Sequence, residues 1–397
     1  MSAICGIIDF EKNRTDFTSL RGMGRAAFMR GGGQSAAYIN GGYGFLCNRD
    51  GIYDIFDNED DDQPLTVSLG GKNYTVMLDG EISDGRGSGA QRALECYISF
   101  GKDCFSHFDG DFAIAICDEY RGEVLLARSQ GSTRPLFCSF FDGKLCFCSE
   151  PKGLFRAMQG PVRVDERVLK EHILSPIGKY GASDIFLDID EIGEGVCAVY
   201  SRYYSSAYSC ASVRVRKSSE EEHIDVKAPD PSELRSVLGE ALFAFDYPQF
   251  DAYMPSVISA LRHAQGRMTE NKKALCISEG GAKYPERYLK ERADRLGTLC
   301  SVRFESVACE KDCMKKSELD RMDKALETLL FESDTAMICR VFGDGAHERV
   351  RRERDIEARI RMTGMLIQSQ SLFKLYTVLL CSENGVRDAY ASRLSTI

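Results

Sequence analysis

A chain of 397 residues is too long for one ordinary domain; at about 100–200 residues per domain, two are expected. Its composition, 43% hydrophobic and 28% charged, excludes disordered and fibrous classes. The net charge of −9 argues against nucleic acid as a partner, because neutralising phosphates requires clustered Lys and Arg. No apolar run reaches the roughly 18 residues of a membrane span, and MSAICGIIDF lacks the basic region and cleavage pattern of a signal peptide. A cytoplasmic protein with no membrane contact is expected. The 16 cysteines form no CxxC pair and lie apart from His107, His172, His223, His263 and His347, so they are read as small buried hydrophobes rather than zinc ligands.

In chain order, residues 3–10, 74–79, 112–117, 123–128 and 144–149 are short apolar or alternating runs bounded by Gly, Asp and Asn, and are expected as strands. Residues 15–30 and 90–100 carry apolar side chains at helical spacing. The acidic run at 58–62 reads as a solvated loop. Residues 216–231, RKSSEEEHIDVKAPDP, have the composition of a linker. This places a first domain over 1–215 and a second over 232–397. The second is expected to be mostly helical, with helices over 232–245, 252–265, 284–296, 314–333 and 354–381.

Ile4, Gly6 and Asp9, then Gln63-Pro64-Leu65, LDGEISD at 78–84 and the stretch 110–154 follow one another in an order that resembles the glutaminase domain of asparagine synthetases. The segment SDIFLDIDEIGEG at 183–195 is similar to the passage leading out of that domain. The resemblance implies an α+β fold of the N-terminal-nucleophile type, an αββα sandwich of two antiparallel sheets, belonging to the class II glutamine amidotransferases. It also implies chemistry in which a mature N-terminal Cys supplies both the thiolate and, through its α-amine, the base.

Several positions depart from that pattern. Ser2 stands where the family nucleophile would be exposed by removal of Met1; a second alignment uses Cys5, because Cys5-Gly6-Ile7 itself spells CGI. Asp79 replaces the Asn whose amide donates to the oxyanion, and a carboxylate only accepts. Gly80 and Glu81 are retained in that loop, and Arg49 matches the Arg that binds the substrate carboxylate. Gly89 falls where the family places the Asp that holds the substrate ammonium, and the RGPD turn reads RGGG at 30–33.

In the family the second domain activates a carboxylate with ATP through an SGGxDS loop. The candidate here is ISEGGAKY at 277–284, with Ser278, Gly280 and Gly281 matching but Lys283 and Tyr284 departing. GDGAHE at 343–348 echoes an acidic magnesium loop through Asp344 and Glu348, with His347 replacing a carboxylate. ATP and Mg²⁺ are therefore expected only if this remodelled synthetase-like domain is functional.

By ancestry the chain reads as a divergent, shortened asparagine synthetase-like protein with impaired glutaminase chemistry. Two alternatives stand beside that reading: an ATP-dependent amide-forming ligase using ammonia or another amine, and a non-catalytic binding or regulatory protein. Glutamine or another small amide or carboxylic acid is the expected ligand, with a homodimer or a protein partner possible in sequence terms.

Overall fold

The computed structural model describes residues 2–11, 14–27, 30, 34–49, 63–82, 88–107, 109–132, 134–158, 162–174, 181–209, 221–225, 228–243, 246, 249–250, 252, 254–265, 274–280, 301–307, 315–331 and 346–376. The chain divides into two compact units, one of residues 1–159 with 189–218, the other of 160–188 with 219–397.

In the first unit, β1 (Ser2–Asp9), α1 (Phe17–Ala26), β2 (Gln34–Asn40), β3 (Tyr43–Arg49), β4 (Leu65–Leu69) and β5 (Lys72–Ile82) are followed by α2 (Gly89–Phe100) and a 3₁₀ turn. Then come β6 (Gly110–Asp118), β7 (Glu123–Arg128), β8 (Phe137–Phe141), β9 (Lys144–Cys148) and α3 (Pro151–Ala157). After residues of the other unit, β10 (Asp190–Glu191), β11 (Val196–Ser201) and β12 (Ser205–Ser209) complete it. Two six-stranded antiparallel sheets result, one ordered β10-β8-β9-β1-β3-β2, the other β12-β11-β7-β6-β5-β4.

The two-residue period of the strands assigns each face a neighbour. On β1, Ile4 and Ile8 join Phe45, Phe147, Met77, Ala113, Ala115 and Leu126 in a core between the sheets. On β5 the alternate positions Val76 and Leu78 face away from that core and pack with Ala90, Leu94 and Tyr97 of α2. Outside the first sheet lie α1 and α3; a Cβ on Gly24 would meet Leu46 Cδ2 at 2.5 Å, and one on Gly153 would meet Cys148 Sγ at 2.3 Å. Small residues on the helices thus let them seat directly on the strands. The layers are helix, sheet, sheet, helix, as expected for an αββα sandwich.

Asp16 caps α1 by accepting from Thr18 N–H and Ser19 N–H, each at 3.0 Å, and Ser88 caps α2 by accepting from Gln91 N–H at 3.1 Å. The Gln-Pro-Leu turn is tied to β5: the buried Leu78 N–H donates to Gln63 Oε1 at 2.6 Å. The strands and helices expected in this half all occur, within a few residues at their ends. The acidic run 58–62 lies outside the described residues.

The second unit contains α4 (Glu166–Leu174), α5 (Ala182–Ile185), β13 (Glu221–Asp225), α6 (Leu234–Phe243), α7 (Met254–Gln265), β14 (Ala274–Gly280), β15 (Ser301–Val307), α8 (Lys316–Phe331), α9 (Ala346–Arg352) and α10 (Ile356–Tyr376). Helices predominate among its described residues, yet a parallel sheet ordered β13-β14-β15 runs through it, which the expectation of a helical domain did not include. Residues 221–225 fall inside the expected linker. Their Glu-Glu-His-Ile-Asp composition suits an edge strand, where charge discourages further pairing. The expected helix over 284–296 lies outside the described residues.

The helices are pinned by specific contacts. Arg359 on α10 grips Asp323 on α8 through Nε and Nη2 at 2.6–3.0 Å, and Gln368 both donates to Ala241 O at 3.2 Å and accepts from Gln249 N–H at 2.7 Å. Phe250, from the aromatic segment 245–255, is fully buried where α10 carries Gly364; a Cβ there would meet its ring at 2.2 Å. Phe250 therefore serves packing.

Candidate active site

Ser2 opens β1 and stands opposite Arg49 in the β1–β3 register, so the start of the first strand and the end of the third meet at one edge of the sandwich. Asp79 lies two residues beyond Met77 on β5, and Met77 belongs to the inter-sheet core, so the Asp79 side chain points at the first sheet. There the Ser2 backbone N–H donates to Asp79 Oδ1 at 3.2 Å.

Asp79 is wholly buried and receives two guanidinium groups. Arg30, itself 0% exposed, donates through Nη2 to Oδ2 at 2.7 Å, and Arg134 reaches Oδ1 through Nη1 at 3.4 Å. Arg30 is placed by the turn leaving α1, its N–H donating to Ala27 O at 3.0 Å. Arg134, in the connection from β7 to β8, is fixed by its own N–H donating to Ser132 Oγ at 3.1 Å; the Ser132 hydroxyl donates to Asp111 Oδ1 at 2.6 Å, and Arg134 Nε lies 3.6 Å from Asp111 Oδ2. Burial alone pushes the Asp79 carboxyl up, but Arg30 and then Arg134 outweigh it and hold the group below its ordinary range. An ionised carboxylate sits where an amide donor is expected.

Gly80 and Glu81 continue β5. Gly80 adopts φ +121°, and a Cβ there would lie 2.0 Å from the Asp111 carbonyl oxygen, so only glycine allows β5 and β6 to approach at this point. Glu81 is exposed and registers with Asp111. Gly89 is the first residue of α2, and a Cβ on it would strike Leu78 Cδ2 at 2.6 Å. A larger residue at this position would require the Leu78 side chain to move.

The structure does not bring Cys5 to this edge. Its backbone pairs with Leu46 on one side and Cys148 on the other, and its Sγ donates to Leu46 O at 3.5 Å on the helix-facing side of the sheet. A contact with Cys148 together with burial pushes the thiol well above its usual range. Such a thiol is a poor nucleophile.

In the second unit, Ser278 and Gly280 lie at the C-terminal end of β14, the central strand of the parallel sheet, which is the edge where open α/β sheets hold ligands. Gly281 and Asp344 lie outside the described residues. Glu348, on α9, is exposed and pairs with Arg352 at 3.3 Å, and no group of three His, Cys, Asp or Glu side chains suited to a metal occurs among the described residues.

Sequence reasoning missed Arg30 as a partner of Asp79, noting it only within RGGG, and missed Arg134, Asp111 and Ser132 altogether. A signal existed: a carboxylate placed in an apolar strand requires a buried cation to balance it.

The first unit is thus an αββα sandwich of two antiparallel sheets in which the strand-opening Ser2 lies beside Asp79 and Gly80 of β5. Residues 88–208 match the family described as a glutamine amidotransferase domain. The chain is 27% identical over 163 residues to asparagine synthetase [glutamine-hydrolyzing] 3 of Bacillus subtilis, covering 37% of this chain and 26% of that protein. To asparagine synthetase [glutamine-hydrolyzing] 2 of the same organism it is 28% identical over 171 residues, covering 39% and 22%. The aligned parts thus span about a quarter of these relatives' length.

Among solved structures, the allosteric regulatory enzyme of purine biosynthesis aligns with TM-score 0.40 and 10% identity, over 76% of this chain and 80% of that one. The glutamine phosphoribosylpyrophosphate amidotransferase from B. subtilis aligns with TM-score 0.38 and 10% identity, over 76% and 65%. No helix among the described residues is long and apolar enough to cross a membrane.

Proposed function

We propose that this chain retains the amidotransferase domain without effective glutamine hydrolysis in it. The carrying observation is the Asp79 carboxylate, ionised between Arg30 and Arg134 at the position from which an amide would stabilise the oxyanion. Loss of one such donor costs about 10²–10³ in turnover. A carboxylate accepts only, so it opposes the developing negative charge as well as failing to donate. Ser2 in place of a cysteine, and Gly89 in place of an ammonium-binding carboxylate, act in the same direction. The test is glutamate and ammonia release from glutamine by the full chain. Turnover at least about 10²-fold below a working glutaminase domain is expected; turnover in the normal range would overturn the reading.

A second reading has support in the other unit. Ser278 and Gly280 close the central strand of a parallel sheet, a placement consistent with an ATP-dependent amide-forming ligase supplied by ammonia or another amine. Lys283 and Tyr284 weigh against it. Magnesium-dependent ATP–pyrophosphate exchange with aspartate and other carboxylic acids tests it, and absence of exchange would leave the non-catalytic, binding or regulatory role.

A further inference from the structure

We infer that Asp79 is a positioning residue for the chain's own amino terminus: in the form that begins at Ser2, the Ser2 α-ammonium is held as an ion pair on the Asp79 carboxylate. The inference rests on the proposed reading of this site and deepens it.

The Ser2 nitrogen already lies 3.2 Å from Asp79 Oδ1, and β-ladder pairing with Arg49 fixes its position. With residue 1 attached, that nitrogen is an amide donor. Hydrolysis of the Met1–Ser2 peptide bond consumes one water, releases methionine and leaves an α-amine in the same place. An α-amine ordinarily titrates near ~7.7–8.0, and an adjacent carboxylate favours its protonated form.

The charged groups facing this nitrogen are Asp79 from β5, and Arg30 and Arg134 on that same carboxylate. Asp111 from β6 faces Arg134 in turn, and Arg49 stands opposite Ser2 on β3. Two arginines balance two aspartates among Arg30, Arg134, Asp79 and Asp111, so no excess positive charge from these four repels an ammonium. Arg134 shares Oδ1 with the Ser2 nitrogen at the longer distance of 3.4 Å and is the competitor. A terminal nucleophile needs its amine unprotonated to take the hydroxyl or thiol proton. Asp79 therefore acts twice, once by withholding an oxyanion donor and once by holding the amine protonated.

The test uses the full-length chain released from a cleavable fusion so that Ser2 is its first residue, checked by intact mass. The pH dependence of α-amine acylation by acetic anhydride is read by mass spectrometry of the N-terminal peptide. The expected midpoint lies about one pH unit or more above the ordinary α-amine value. Asp79→Asn should lower it, and Arg134→Gln, which removes the competitor, should raise it further. Should Asp79→Asn fail to fold, the wild-type midpoint and Arg134→Gln decide the matter. A wild-type midpoint at or below the ordinary value, or one unmoved in every folded variant, overturns the inference. Glutamine hydrolysis is measured separately: a working glutaminase with a raised amine midpoint sinks only the proposed function, and an inactive chain with an ordinary midpoint sinks only this inference.

Discussion

Arg30 Nη2 meets Asp79 Oδ2 at 2.7 Å with both side chains wholly shielded from water, and this pair joins the turn after α1 to the end of β5. Desolvating two such ions is costly, and their attraction repays it only while both are present. Arg30→Met and Asp79→Leu should each destabilise the folded chain by about 3–5 kcal/mol, whereas the two combined should recover much of the loss. Urea unfolding of the four proteins measures this. Additive losses would contradict a coupled pair.

Asp79 also gives the protein a specific response to acid. Its folded carboxyl titrates below the ordinary value, so its contribution is present in full above the unfolded pKa of ~3.9 and is lost as pH falls through the folded value. The unfolding midpoint of the wild type should therefore fall more steeply on acidification toward pH ~3 than that of Asp79→Asn. Parallel curves would show that Asp79 is not a linked group.

Gly80 is constrained by sterics alone. With φ +121° and a would-be Cβ 2.0 Å from the Asp111 carbonyl, Gly80→Ala forces β5 and β6 apart. A loss above ~1–3 kcal/mol is expected, since backbone strain and displaced strand pairing add. Hydrogen exchange of the β5 and β6 amides should accelerate most in this variant, and protection equal to the wild type would refute the clash.

Gln63 is expected to behave as a brace for β5. Gln63→Ala leaves the buried Leu78 N–H without its acceptor, at a cost of about 1–3 kcal/mol. Gln63→Met fills a similar volume without the amide acceptor and should cost nearly as much. Thermal midpoints of the two variants decide between bracing and simple side-chain packing.

Cys5 is expected to be inert. Buried, and with its thiol pushed up, it should resist iodoacetamide and glutamine-like electrophiles in the native chain and react once urea unfolds it. Native labelling at Cys5, mapped by peptide mass, would revive it as a nucleophile.

The first unit was legible because its strands are short apolar runs bounded by Gly, Asp and Asn, so 112–117, 123–128 and 144–149 could be read as strands, whereas β8 and α3 in the same stretch were not named. The parallel sheet of the second unit was not, although β15 alternates Val302, Phe304 and Ser306 with Arg303 and Glu305. Short strands between long helical periods offer little signal, and β13 carries the charges of a linker because it is an edge. At the site, Asp79 and Gly80 could be named from sequence through the resemblance of LDGEISD to the family's loop. Arg30 and Arg134 could not, because they come from segments 104 residues apart in sequence that only the stacking of two sheets brings onto one carboxylate.

The strand order gives the chain's first residues an unusual place. β1 is an interior strand, bound by β3 on one side and β9 on the other. During synthesis its first partner follows soon after it, but the opposite edge stays open until Cys148 has left the ribosome. Through that interval an apolar strand, Ala-Ile-Cys-Gly-Ile-Ile, offers unpaired backbone to any neighbour. The amino-terminal strand is thus open along one edge while the protein is being made and paired along both once it is finished.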